Sequence, residues 1–377
     1  MSYVTGSGLT RYGRHDGRNT LDLMTEATDL ALADAGLLRA DIDGLICGYS
    51  TTMPHLMLST VFAEHYGLQP RYAHAIQLGG ATGFTLVMLA HLLVSAGAAK
   101  RVLVVGGENR MTGQSRDSAI QVLAQVGHPV YEVPLGPTIP AYYGLVASRY
   151  MHKFGTTETD LAELAVLMRR HAMAHDGAQF RAPISVADVM ASRSIATPLK
   201  MLDCCPVSDG GCAVIVSAKP DGAHPIRISG AAQRHNAQHV TAAASLTEVG
   251  AGACAAEALS SAGRTLAEVE HAAIYDSFTI TLTMLLEEIG LAPRGRAGAL
   301  AREGRFDAAG PMPLNLHGGL LSYGHCGVAG AMAHLAETHL QMTGRAGLRQ
   351  ARKAGVSLLH GDGGVLSSHV SLVLEQA

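Results

Sequence analysis

The first clear pattern of apolar and polar positions opens at Asn19-Thr-Leu-Asp22, where a capping side chain stands three residues before an acid. Leu23, Ala27, Leu30 and Ala31 then recur at helical spacing, Asp29 and Asp34 fall on the polar side, and Gly36 supplies the stop. Asp41-Ile-Asp-Gly-Leu-Ile-Cys-Gly48 predicts a turn leading into a short strand. Further on, Gly79-Gly-Ala-Thr-Gly83 precedes a segment, about Phe84 to Ser95, that is apolar nearly all round. A helix with no polar face has to be enclosed on every side. Arg101-Val-Leu-Val-Val-Gly-Gly107 follows as a continuous apolar run, the pattern of a buried strand.

From about 111 to 200 the character changes. Gly136-Pro137, Pro140 and amphipathic stretches such as Glu158 to His175 predict an inserted loop or cap domain. Leu202-Asp-Cys-Cys-Pro-Val-Ser-Asp209 and the apolar residues to Ser217 return the chain to a buried strand. The C-terminal part then repeats the earlier order: the glycine-rich Gly318-Gly319 and Gly324-His-Cys-Gly327, an Ala- and Leu-rich helix from Val328 to Met342, and a strand at Val356 to Leu359. An internal duplication is the simplest reading. It divides the chain into halves 1–220, with the insertion, and 221–377.

Composition narrows the function classes. The 377 residues are 48% apolar and only 16% charged, which excludes a disordered chain and calls for a large core. A net charge of −3 gives no basic field, so nucleic-acid binding is not expected. Six cysteines without CxxC spacing indicate neither a disulfide framework nor a zinc knuckle. The stretch from Tyr72 to Ala99 lacks Asp, Glu, Lys and Arg, but its histidines and glycines make it a poor membrane span. A cytoplasmic protein is expected.

Taken together in order and spacing, the motifs resemble the thiolase superfamily, in particular the sterol-carrier-type thiolases and their lipid-transfer and aldolase relatives. The carriers are Leu30-Ala-Leu-Ala-Asp-Ala-Gly36, Gly79 to Gly83, Val104-Val-Gly-Gly-Glu-Asn109 and Arg193 to Gly211. Tyr275-Asp-Ser-Phe278, Asn315-Leu-His-Gly-Gly319, Gly324-His-Cys-Gly327 and Gly361-Asp-Gly-Gly364 complete the set. The resemblance implies a five-layered αβαβα fold with two enclosed helices.

It also implies a departure in chemistry. The family's nucleophilic cysteine opens the first enclosed helix, and here Gly80 stands in its place, with no cysteine within thirty residues. His360 stands where the second cysteine would be, the Gly-His motif persists at His325, and Tyr275 replaces the asparagine that holds a water. The resemblance therefore assigns acid–base and hydrogen-bonding roles to Tyr275, His325 and His360. It puts Gly80, Asp276, Gly319, Cys326, Gly363 and Gly364 around the substrate. Each residue also has a plain structural use: Tyr275 as a core tyrosine, the histidines and Cys326 as packing groups, Asp276 and Asp362 as turn formers. Three function classes stay open. They are a lyase cleaving β-hydroxyacyl-CoA by a retro-aldol step, a non-catalytic acyl-CoA- or lipid-binding subunit, and an acyltransferase or condensing enzyme using Cys326. Coenzyme A enters only as part of the substrate, with no tightly bound cofactor and no metal. A homodimer is expected, with a small OB-fold, zinc-ribbon protein as a further partner.

Overall fold

The computed structural model describes all 377 residues. The first half runs β1 (Ser2–Leu9), α1 (Thr20–Ala35), β2 (Gly44–Gly48), α2 (Leu58–Tyr66), β3 (Tyr72–Ile76), α3 (Thr82–Ser95) and β4 (Arg101–Asn109). Four helices follow, α4 (Arg116–Ala124), α5 (Ile139–Phe154), α6 (Glu158–Ala172) and α7 (Val186–Ala191). A small hairpin, β5 (Ser194–Ala196) and β6 (Leu199–Lys200), leads into β7 (Asp209–Ser217). The second half runs β8 (Ile226–His235), α8 (Ala251–Ser261), β9 (His271–Ile274), α9 (Thr279–Ile289) and α10 (Ala297–Arg302). It closes with α11 (Val328–Met342), β10 (Val356–Gly363) and β11 (Ser368–Gln376).

The nine long strands form one sheet in the order β3-β2-β4-β7-β1-β8-β11-β10-β9. Its two halves meet where β1 pairs antiparallel with β8 through Ser2 to Val4. Outward from that joint, the order β1-β7-β4-β2-β3 is matched by β8-β11-β10-β9, and Leu314 bridges Ala272 in parallel where a fifth strand would lie. Helices α1 and α2 cover one outer face, α8 and α9 the other. Between the two halves lie α3 and α11, each touching strands of both. That is the layering α-β-α-β-α.

Local sequence explains the elements. Asn19 caps α1 by accepting from the Asp22 N–H, Asp22 returns the bond to the Asn19 N–H, and Gly36 ends the helix in the left-handed region at φ 67°. The buried stripe is Leu23, Met24, Ala27, Ala31 and Leu32; Leu30, predicted to belong to it, points outward. Helix α3 begins two residues earlier than predicted and is enclosed only through its first two turns, since Leu92 is 52% exposed. Gly83 lets the middle helices cross closely: a Cβ there would lie 2.7 Å from Met332 Cγ. The segment between β4 and β7 adds no strand to the large sheet, but it is not a separate lobe. Tyr143, Val146, Tyr150, Leu164 and Leu167 join the main core. No helix is long and apolar enough to cross a membrane.

Candidate functional site

Four chain segments converge at one end of the two halves. They are the turn before α3, the residues after β9, the Gly-His turn before α11 and the end of β10. Tyr275 is the first residue beyond β9. Its position is set from both sides: its N–H donates to the His360 carbonyl at 2.9 Å. The preceding Ile274 is clamped by Asn315, whose side chain accepts from the Ile274 N–H at 2.8 Å and donates to its carbonyl at 2.7 Å. Asn315 makes this two-point contact from a left-handed backbone, φ 46°, and so stands in for the missing edge strand.

The buried Tyr275 ring reaches across to Gly80. A Cβ built on Gly80 would lie 2.2 Å from the Tyr275 hydroxyl and 2.4 Å from the Asp362 carbonyl oxygen. The phenol therefore occupies the volume that any side chain at position 80 would need. Gly79, at φ 56°, packs against Gly363 and Gly364, so the two glycine-rich turns close on one another.

His325 faces the same hydroxyl, with Nε2 3.1 Å from Tyr275 Oη. The Gly327 N–H donates to His325 Nδ1 at 3.2 Å, so Nδ1 is the unprotonated nitrogen and Nε2 carries the proton. The imidazole thus donates to the phenol oxygen and leaves the phenol proton free to point elsewhere. Burial and the nearby Arg110 charge push His325 down to about 3, so it is neutral across the physiological range. Burial pushes Tyr275 well above the usual tyrosine value, Cys205 and Asp362 add to this, and Arg110 opposes it. At rest the pair is a neutral phenol receiving a hydrogen bond from a neutral imidazole.

Other expected residues lie elsewhere. His360 does not join the site. On β10 its neighbour Gly361 faces Phe84 of α3, so strand alternation turns His360 to the opposite face. There Nδ1 lies 2.7 Å from Ser371 Oγ and Nε2 3.1 Å from His369 Nδ1, fully enclosed. Its contribution to the site is its carbonyl. Asp276 is fully buried, accepting from the Leu320 N–H at 2.7 Å beside His334 at 3.3 Å. Burial raises its carboxyl, and His334 and these N–H groups pull it back. Gly319 belongs to the same structural knot, because a Cβ on it would lie 1.9 Å from Asp276 Oδ2. Cys326 is sealed among Tyr12, Cys212 and Glu108, and burial pushes its thiol up. All six cysteines are free thiols, and Cys47 and Cys204 are pushed up to about 12.

One residue was misread and two escaped the sequence reading. Asp362 is part of β10 rather than a turn; Tyr143 Oη lies 3.3 Å from its Oδ2 and donates to the Gly364 carbonyl at 3.1 Å. Burial raises the Asp362 carboxyl well above the usual range. Tyr143 itself comes from α5 and stacks on Phe278 at 4.3 Å, a contact that no local pattern announces. Arg110 directly follows the quoted Val104 to Asn109 motif, and that adjacency was the available signal.

Known proteins were compared with this arrangement. Residues 3–219 match the family described as "Thiolase, N-terminal domain" and residues 231–376 that described as "Thiolase C-terminal domain-like". The steroid side-chain-cleaving aldolase of Thermomonospora curvata is 30% identical over 90% of this chain and 92% of its own length. An acetyl-CoA acetyltransferase of Methanothermobacter thermautotrophicus is 29% identical over 97% of this chain and 98% of its own. A solved structure described as the Ltp2-ChsH2(DUF35) aldolase superposes with a TM-score of 0.86 at 29% identity, covering 100% of this chain and 97% of that one. With both halves matched and the aldolase aligned along nine-tenths of its length, this chain belongs to the thiolase family.

Proposed function

We propose that the chain is a thiolase-like lyase that cleaves the Cα–Cβ bond of a β-hydroxyacyl-CoA without an acyl-cysteine intermediate. The observation that carries this reading is the Tyr275 hydroxyl seated over Gly80, where a nucleophile would otherwise project. Retro-aldol cleavage moves one proton off the β-oxygen and one onto Cα. A single hydroxyl can do both in one concerted relay: Oη hands its own proton to Cα as it takes up the β-hydroxyl proton, beginning and ending as a neutral phenol. The electron pair of the Cα–Cβ bond passes through the thioester as an enolate, and the β-carbon departs as a carbonyl. His325 steadies the phenol oxygen through its Nε2 proton while charge passes over it. Such a step suits a tyrosine too buried to ionise freely.

The acyltransferase reading has less support, since Cys326 is sealed and its thiol is held protonated. Coenzyme A enters as part of the substrate, and the reading requires no resident cofactor. A cytoplasmic setting follows from that substrate class. We further infer a homodimer and a small OB-fold, zinc-ribbon partner; the two-component name of the solved Ltp2-ChsH2(DUF35) aldolase supports a partner subunit.

The test is to incubate the chain with a panel of β-hydroxyacyl-CoA thioesters, and then resolve small products and intact protein by mass spectrometry. The lyase reading expects a carbonyl product and a shortened acyl-CoA, with no mass added to the protein. An acyl adduct would support the acyltransferase instead. Tight acyl-CoA binding without turnover, with and without the partner, would make this a binding subunit.

A further inference from the structure

Arg110 stands out among the arginines with little exposure. Arg169 donates to Ser322 Oγ and the Ala182 carbonyl, each at 3.0 Å, and Arg349 donates to Glu337 and the Ala174 carbonyl. The Arg110 side chain is 12% exposed, and its Nε is closed off without a hydrogen-bond acceptor. Its one charge partner is Glu108, with Nε 3.3 Å from Oε2. The terminal N–H groups make no hydrogen bond within the protein and, unlike Nε, are not sealed, so they are suited to receive an oxygen from outside the protein.

Its ion-pair partner Glu108 ties it to the turn that carries His325. The backbone beyond it is held by Asp209, which accepts from the N–H groups of Met111 at 2.6 Å and Thr112 at 3.2 Å. Glu108 is anchored by the Thr51 N–H at 2.7 Å and hydroxyl at 3.0 Å. Its carboxyl lies directly under Gly327, 2.6 Å from where a Cβ would be, and Gly327 holds His325. The Arg110 charge is also felt at Tyr275 and His325, lowering both.

We propose that Arg110 is a further catalytic residue, one that donates to the thioester oxygen as that oxygen becomes an enolate oxygen during carbon–carbon cleavage. The proposal rests on the lyase reading above. His325 is committed to Tyr275 and Gly327, and Tyr275 to proton transfer, so the oxygen that receives the Cα–Cβ electron pair needs another donor. When Tyr275 protonates Cα, the pair returns to carbon and the thioester carbonyl re-forms. A cation aimed at charge that exists only midway lowers the barrier without tightening ground-state binding.

Acetoacetyl-CoA is the probe, because its enolate has its own ultraviolet absorbance whether or not the chain cleaves anything. The wild-type protein is expected to raise the enolate absorbance on binding. Arg110→Gln should abolish that signal and lower kcat by about 10²–10³-fold with little change in KM. Arg110→Lys should keep part of both, and guanidinium salts should restore part of the activity to Arg110→Gln. Because Arg110→Gln strands Glu108, the charge-balanced E108Q/R110Q variant is measured beside it, with melting curves for each. No enolate signal from the wild type, or an unchanged one in a folded Arg110→Gln or E108Q/R110Q protein, overturns the proposal. Failure of the lyase reading is separately visible, as a wild-type enolate signal without cleavage of any β-hydroxyacyl-CoA.

Discussion

Two histidines drawn from the same family resemblance end in opposite environments. His325 lies on an irregular turn between Gly324 and Gly327, and its ring meets the Tyr275 hydroxyl. His360 lies inside β10, where alternation turns it toward Ser371 and His369 in the outer layer. The two are linked by two hydrogen bonds through Tyr275, whose hydroxyl meets the His325 ring and whose N–H donates to the His360 carbonyl. A matched position in a strand therefore fixes where the backbone goes, while a one-residue difference in register decides whether the side chain reaches the chemistry. Turns carry no such alternation, and the Gly-His turn delivered its side chain as expected.

The largest effect expected from this contrast comes from adding a methyl group. Gly80→Ala should reduce cleavage about as much as losing the acid–base hydroxyl, roughly 10²–10⁴-fold, because the new Cβ takes the space of the phenol. Gly80→Cys should fail in the same way and gain no thiolase activity. An active Gly80→Ala enzyme with an ordinary melting curve would break the geometric argument.

His325→Phe is expected to cost about 10²-fold in kcat, since Tyr275 loses its donor but keeps its hydroxyl. His360→Gln should leave kcat within about threefold and instead lower stability by about 1–3 kcal/mol, the cost of disturbing a buried hydrogen-bonded group. Reversal of that ranking would return His360 to the catalytic set.

A last effect concerns acid and falls on stability rather than on catalysis. His175, His271, His339 and His369 are pushed down to about 4 by burial, and His317, His325 and His360 also lie below the ordinary value of 6.5. Between pH 6.5 and about 4 the unfolded chain binds protons that the folded chain refuses, so stability falls as pH falls through that window. The raised carboxyls of Glu108, Asp203, Asp276 and Asp362 act in the opposite sense but are fewer. Melting temperature followed across this range checks the sign.

Much of the fold was legible because its signals are local. The Asn19 cap, the Gly36 stop and the extent of α11 were read directly, the repeated glycine-helix-strand order gave the two halves, and the family resemblance implied the layering. Leu30 was misread because spacing alone does not say where the edge of an apolar stripe falls. Of the site, the glycine positions and the Tyr275–His325 pairing were accessible through motifs that lie on turns. Tyr143 was not, since it reaches the site through contacts between segments distant in sequence, whereas Arg110 was passed over although it directly follows a quoted motif. Asp276, Gly319 and Cys326 misled for a related reason: each sits in a motif beside the chemistry, yet the Asp276 and Cys326 side chains pack into the scaffold and Gly319 leaves room for Asp276.

The most direct test of the account is the turnover of Tyr275→Phe on a β-hydroxyacyl-CoA that the wild type cleaves, measured with acyl-CoA affinity and melting temperature. The account predicts a fall in kcat of about 10²–10⁴-fold, with affinity and melting nearly unchanged, because only the proton-carrying hydroxyl is removed. Cleavage by folded Tyr275→Phe at the wild-type rate would contradict it and reduce Tyr275 to a core aromatic.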